Sequence, residues 1–310
     1  MPRMAEGRGR TAAGLIALTY GLFAGGCVGP TVPPPQGTSS DPGAALRGEY
    51  LVNAGNCTGC HTDSENGGVA LAGGKAIATP FGTYYSRNIT PDTSHGIGVW
   101  SDVDFLRAVR QGVMPDGAYY FPAFPFPSFT LMTDRDILDI KAYLSTQPPA
   151  ARENRAPDAP FPFGVRAVMA PWRLLYFSAG PYVPDPRQGP EWNRGAYLAN
   201  AVSHCGECHT PRGALGALDN DRRFAGTKSA RSGIRAPDIT PDHAEGIGTW
   251  SADDIATLLE NGMTPQGDFV GGAMAEVVKG TAKLTVADRH AIALYVKSVP
   301  PLRASGAPGS

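Results

Sequence analysis

Cys57-Thr58-Gly59-Cys60-His61, and its second copy Cys205-Gly206-Glu207-Cys208-His209, decide how this chain folds. Two thiols three positions apart, at the end of a helical turn, reach the two vinyl groups on one edge of a porphyrin. The next residue then turns its imidazole under the iron. A single Cys-x-x-Cys also suits a redox dithiol or a zinc site. Two copies, each inside a longer matching repeat, point to two covalently bound haem c groups, with His61 and His209 as proximal ligands.

The repeat extends outward from the motifs. Asn88-Ile89-Thr90-Pro91-Asp92 and Gly96-Ile97-Gly98-Val99-Trp100 recur as Asp238-Ile239-Thr240-Pro241-Asp242 and Gly246-Ile247-Gly248-Thr249-Trp250, with Ile89 to Ile239 and Trp100 to Trp250 both 150 residues. Such self-similarity predicts two homologous domains rather than one large core. Leu46, Tyr50 and Leu51 suit the apolar stripe of a short helix that delivers the chain to Cys57; Trp192, Tyr197 and Leu198 do the same before Cys205. Ser101 is an N-cap with Asp102 and Asp104 in the first turn, and the helix runs to about Gln111, where Gly112 closes it. After a Pro-rich loop, residues 115–128, Thr133 caps a last helix carrying Ile137, Ile140 and Leu144. In the second copy Ser251 caps a helix ending near Gly262, and Thr285 caps the final helix with Ile292, Leu294, Tyr295 and Val296.

Composition agrees. The 39 Gly and 29 Pro, with only 18% charged residues, describe loop-rich domains wrapped round a centre rather than long helical bundles. A net charge of -1 gives no general attraction to nucleic acid or to anionic membrane. Paired-carboxylate, Ser-His-Asp, phosphate-loop and dinucleotide signatures are missing from the sequence.

Residues 1–27 read as an export signal: Arg3, Arg8 and Arg10, a short apolar run from Ala13 to Phe23, then Ala24-Gly25-Gly26 before Cys27. This resembles a lipoprotein signal whose new N-terminal cysteine is lipidated, with Ala24 where Leu is usual. An ordinary secretory cleavage site with an incidental Cys27 is the alternative. Both place the protein in the periplasm, and a lipid on Cys27 would tether it to the membrane. Residues 28–43 form a flexible tether, 44–148 the first domain, 149–190 a Pro-rich connector, 191–302 the second domain and 303–310 a tail. The connector's apolar stretch, 161–177, is interrupted by Arg166, Pro171 and Arg173 and so does not suit a membrane span. It is expected to pack against both domains; a partner-docking surface is the alternative.

These blocks, with Phe121-Pro122-Ala123-Phe124-Pro125 and Asn193-Arg194-Gly195-Ala196-Tyr197-Leu198, resemble the dihaem cytochromes c. Over about residues 44 to 302 the chain is similar to the cytochrome c subunits of membrane-bound bacterial dehydrogenases for alcohols, aldehydes and sugars. The resemblance implies an all-α fold of two tandem class I cytochrome c domains. It implies electron transfer from a dehydrogenase partner towards a quinone or terminal oxidase, with no nucleic-acid partner.

A haem iron in an electron carrier takes two axial ligands, and a soft neutral thioether favours the ferrous state. In the second domain Met274, in the loop before the final helix, is the expected sixth ligand, with Met263 as its rival. The residue 150 positions earlier is Phe124, which cannot ligate iron. Three possibilities follow for the first domain: Met132 from a rearranged loop, Met114, or a vacant position. Against Met132, it aligns with the apolar Leu284 and would suit a hydrophobic staple. A vacant position keeps open a dihaem enzyme of peroxidase or thiosulfate-oxidising type, although Asp116 is the only titratable acid in the 115–128 loop. A membrane-anchor subunit with redox-silent haems is a third possibility.

Trp100 and Trp250 could each donate an indole N–H to a haem propionate, or simply pack in the core. Arg87 and Arg235 could pair with propionates, or be solvated. Pro211 could supply or position a carbonyl for His209. Of the histidines outside the motifs, His204 abuts Cys205 but is badly placed to reach the distal face.

Overall fold

Local capping signals set the same helical frame in each half. In the computed structural model, which describes residues 41–227 and 235–302, the first half contains α1 (Ala44–Ala54), the motif helix α2 (Cys57–His61), strands β1 (Ala76–Thr79) and β2 (Gly82–Tyr85), α3 (Asp102–Gln111), α4 (Phe126–Phe129) and α5 (Asp134–Leu144). The connector carries α6 (Met169–Tyr176). The second half contains α7 (Pro190–Tyr197), α8 (Gly206–His209), α9 (Ala252–Asn261), α10 (Gly272–Thr281) and α11 (Val286–Ser298). The export segment, Cys27 and most of the tether lie outside the described residues.

Ser101 and Ser251 each close a capping box, with Asp104 and Asp254 answering the cap backbone. Thr133 and Thr285 accept the N–H of Asp136 and Asp288 at the start of α5 and α11. Gly112 and Gly262 end α3 and α9 at φ +62° and +79°, left-handed positions that glycine occupies without a Cβ clash. The fold is not purely helical: β1 and β2 pair antiparallel from Ala76–Tyr85 to Thr79–Gly82, and Thr83 bridges onward to Asp158 of the connector. Leu46 departs from its expected place in the core, lying 71% exposed because α1 buries the face of Gly48, Leu51 and Val52.

The second half carries one more residue between its lead-in tyrosine and its motif, eight from Tyr197 to Cys205 against seven from Tyr50 to Cys57. A π-helical segment, Leu198–Val202, absorbs it and keeps the five buried side chains in register with the core.

The crossing of first and last helices is set by glycine. A Cβ on Gly48 would stand 1.8 Å from the Asp139 carbonyl oxygen, and one on Gly195 would stand 1.8 Å from that of Ala291. Backbone cannot rotate away as a side chain can. Gly195→Ala is therefore expected to push α7 off α11 and cost about 3 kcal/mol, the upper range for overpacking. Denaturant unfolding of the haem-loaded protein checks this; a change under about 1 kcal/mol would show that the crossing yields.

Two separate cores are expected from the repeat, but the buried apolar side chains form one continuous cluster. Leu51, Ile137 and Leu144 of the first half belong to it together with Leu198, Val202 and Ile292 of the second. Reciprocal tyrosines pin the halves. Tyr50 donates its O–H to Asp288 (2.6 Å) and accepts the Thr285 N–H (3.1 Å). Tyr197 donates to Asp136 and accepts the Thr133 N–H (3.1 Å). Each lead-in helix thereby completes the capping of the other half's last helix, where orphan N–H groups need partners.

The connector touches both halves. The Tyr84 O–H donates to the Phe163 carbonyl, the Trp172 indole N–H to the Leu215 carbonyl (2.9 Å), and the Tyr182 O–H to Asn193 (2.7 Å). Phe126, fully buried, meets Trp172 and Phe177 edge-on. Leu174, Leu175 and Phe161 face solvent. Among the described residues no helix is long and apolar enough to cross a membrane.

Candidate functional site

The first motif opens onto a cavity of about 350 Å³. Cys57, Cys60 and His61 line it together with the apolar side chains of Ile77, Ile97, Phe105, Ile140 and Leu144. His61 Nδ1 lies 2.6 Å from the Arg87 carbonyl oxygen. A carbonyl only accepts, so Nδ1 carries the proton and the Nε2 lone pair is left for a metal. Burial holds the His61 imidazole below its ordinary pKa, which keeps it neutral and able to ligate.

His209 repeats this arrangement, its Nδ1 2.8 Å from the Pro237 carbonyl, and burial again lowers its pKa. The partner is Pro237 and not Pro211, whose carbonyl is taken by the Asp219 N–H (2.8 Å). Arg87 and Pro237 stand 150 residues apart, the offset of the whole middle repeat. That offset was the available signal for the partner.

The surroundings of the cysteines do not favour the thiolate that a dithiol catalyst needs. Burial pushes the Cys57 thiol up to about 12 and the Cys205 thiol up to about 11, and it raises Cys60 and Cys208 as well. A redox Cys-x-x-Cys needs the opposite shift to keep a thiolate. Among the described residues no group of three His, Cys, Asp or Glu is arranged to hold a metal ion.

The cavity holds positive charge without an anion. Arg87 and Arg166 line it, as does the more exposed Arg155; none of the three forms an ion pair with a described carboxylate, and Asp116 acts on Arg166 only at longer range. The Arg166 pKa is lowered by burial and then by the like charge of Arg87. Its guanidinium is held by the Tyr119 carbonyl (2.9 Å) and stands over the Phe121 ring. Half-buried like charges without a counter-ion are costly, and propionates would relieve them. An apolar slot, two thiols, a tautomer-fixed imidazole and unpaired guanidiniums together fit haem c.

Phe124 and Met132 both line the cavity. Met132 is 1% exposed, and Arg110 anchors its backbone by donating to the carbonyls of Thr130 (2.8 Å) and Met132 (2.6 Å). Met114 is buried but lies outside the lining, its carbonyl bound by Arg107. Trp100 lines the cavity. No carboxylate does, and Asp116 is exposed, accepting the Ala118 N–H.

In the second half Met274 lies not in a loop, as expected, but on the helix α10, half-buried against the shared core, whereas Met263 is 37% exposed and its backbone bridges to Phe269. Trp250 packs on the core as Trp100 does, and Arg235 is exposed. Arg235 is not the repeat partner of Arg87; Pro237 is.

The second motif and its lead-in pack against the first half. Ser128 Oγ donates to Glu207 (2.5 Å), Val202 and His204 line the first cavity, and a Cβ on Gly55 would lie 3.2 Å from the Val202 carbonyl. Asn154, Arg155, Pro157 and Arg166 of the connector also line the first cavity. Sequence reasoning missed these connector residues, because nothing in a Pro-rich stretch marks which turn folds back over a site.

Comparison with known proteins agrees with this geometry. The Cytochrome c family model matches residues 45–148 and again 193–300. A protein of Cereibacter sphaeroides named "Diheme cytochrome c-type" is 42% identical over 262 residues, covering 83% of this chain and 86% of that one. The "Fructose dehydrogenase cytochrome subunit" of Gluconobacter japonicus is 39% identical over 89% of this chain and 56% of its own length. The "Alcohol dehydrogenase (quinone), cytochrome c subunit" of Gluconacetobacter polyoxogenes is 37% identical over 92% of this chain and 61% of its own. The chain thus spans most of the dihaem relative but under two thirds of the two dehydrogenase subunits.

Proposed function

The chain belongs to the cytochrome c family, and from that premise we propose that it is a periplasmic dihaem electron carrier that takes electrons from a dehydrogenase partner and delivers them to the respiratory chain. The observation that carries this reading is that Cys57 and Cys205, one thiol from each attachment motif, pack against one shared core, with Ser128 of the first half bonded to Glu207 of the second motif. Bound haem c supplies a one-electron couple whose potential follows axial ligation and burial.

The chain's own residues hold and tune that couple. His61 and His209 each present Nε2, while the carbonyls of Arg87 and Pro237 fix the tautomer and raise the basicity of the ring. With haem bound, Met132 and Met274 would supply the sulfur ligands within class I domains. Arg87, Arg166 and Trp100, which line the first cavity, would receive the propionates of the first haem, and Trp250 and Arg235 those of the second. The names of the relatives support a dehydrogenase as donor; a quinone or terminal oxidase is the acceptor in this proposal. Residues 1–27 serve export, which haem c attachment requires, and Cys27 carries the lipid anchor.

A second reading is favoured by one observation, the non-ligating Phe124 in the lining of the first cavity. There the first iron is open and the protein is a dihaem enzyme. That lining holds no carboxylate, but His95 and His204 stand in it beside His61 as groups able to move a proton, so spectroscopy decides between the readings. Near-infrared magnetic circular dichroism of the purified two-haem protein separates the readings. Two His/Met signals and no carbon monoxide binding are expected. Peroxide turnover with carbon monoxide binding at one haem would overturn the carrier.

A further inference from the structure

His204 belongs by sequence to the second motif, one residue before Cys205, yet its ring lines the first cavity with Cys57, His61 and Phe124. The chain turns left-handed there, at φ +41°, as it does at Asn56 (φ +49°), the residue before Cys57. A non-glycine residue in this region persists only where its surroundings hold it. They do: Nδ1–H donates to the carbonyl of Ser203, and the ring lies 5.1 Å from Phe129 at a tilt. Phe129 in turn meets Phe124 (5.6 Å), and Phe124 meets Tyr120 (5.2 Å), so one aromatic row runs from His204 along the first cavity.

This places one residue against both redox centres. Along the chain, its neighbour is the thiol that carries the second haem. Through space, its ring borders the space that takes the first. Electronic coupling falls steeply across a gap and less steeply through bonded and packed atoms. We propose that His204 is the bridge between the haems, coupling the first cavity to Cys205. With both haems bound, this ring would carry one electron from a ferrous centre to a ferric one, which would exchange oxidation states with no bond made or broken. The inference rests on the electron-carrier reading.

Fast electron injection into the purified two-haem protein, with freeze-quenched electron paramagnetic resonance of each ferric haem, tests it. His204→Gly removes the ring and tolerates φ +41°, and His204→Asn keeps the conformation that Asn56 already adopts. The fast interhaem phase is expected to be lost in His204→Gly and slowed in His204→Asn, with haem content and both g-value sets unchanged. An unchanged fast phase in His204→Gly overturns the bridge and leaves the carrier intact. A change of the first haem to high spin also overturns it, because His204 would then be an iron ligand. Absence of any interhaem phase in the unsubstituted protein overturns both.

Discussion

Replacing Cys57 and Cys60 together by alanine is expected to halve the covalent haem content and to destabilise both halves of the molecule, not the first alone. The first cavity measures about 350 Å³. A dry void of that size would cost at most on the order of 8 kcal/mol at about 24 cal/mol per Å³, and water entering beside the polar lining lowers that figure. The unpaired Arg87 and Arg166 add to that cost. The loss spreads because the core is continuous and the interface reciprocal: Tyr197 completes the cap of α5, and Tyr50 that of α11. Intact mass and the pyridine haemochrome spectrum should report one haem. Thermal unfolding, followed by circular dichroism and by the Soret band of the remaining haem, should give coincident transitions well below that of the two-haem protein. A second haem that melts at its original temperature would show the halves to be independent.

What the sequence made legible was whatever lies within one repeat. The motifs, the capping residues Ser101, Thr133, Ser251 and Thr285, and the closing glycines all sit where pattern and spacing place them. Each depends on residues within a turn or two of itself. What was hidden depends on the other half or on the connector. His204 is unremarkable in its own domain and gains a role only because α4 of the first domain packs beside the π-helical segment. Arg166 reaches the cavity from 105 residues beyond His61, on a segment that the repeat does not contain. The β1–β2 hairpin was missed for a related reason. Four-residue strands carry little periodic signal, and this pair is held partly by Asp158 of the connector. Phe124 was legible as a departure, but its consequence was not, since a missing ligand does not say which side chain replaces it.

Met132→Leu is expected to leave the protein folded and to remove the His/Met signature of the first haem. The substitution separates chemistry from packing. Leucine and methionine differ little in volume, so the swap costs less than about 1.5 kcal/mol in a core. The repeat supplies its own control: Leu284 occupies the equivalent place in the second half and is 3% exposed there. Met132→Ala would confuse the two effects, because truncating a buried Met costs about 2–5 kcal/mol whatever else it does. If the Met132 sulfur holds the first iron, its loss withdraws a donor that favours the ferrous state. The potential of that haem should fall, its near-infrared charge-transfer band should disappear, and its ferrous form should bind carbon monoxide while the second haem does not. Met274→Leu should produce the mirror result, confined to the second haem. Unchanged spectra in Met132→Leu would assign Met132 to the hydrophobic staple. The first iron would then face the aromatic row of Tyr120, Phe124 and Phe129 without a sulfur ligand from this position, and the enzyme reading would regain its footing.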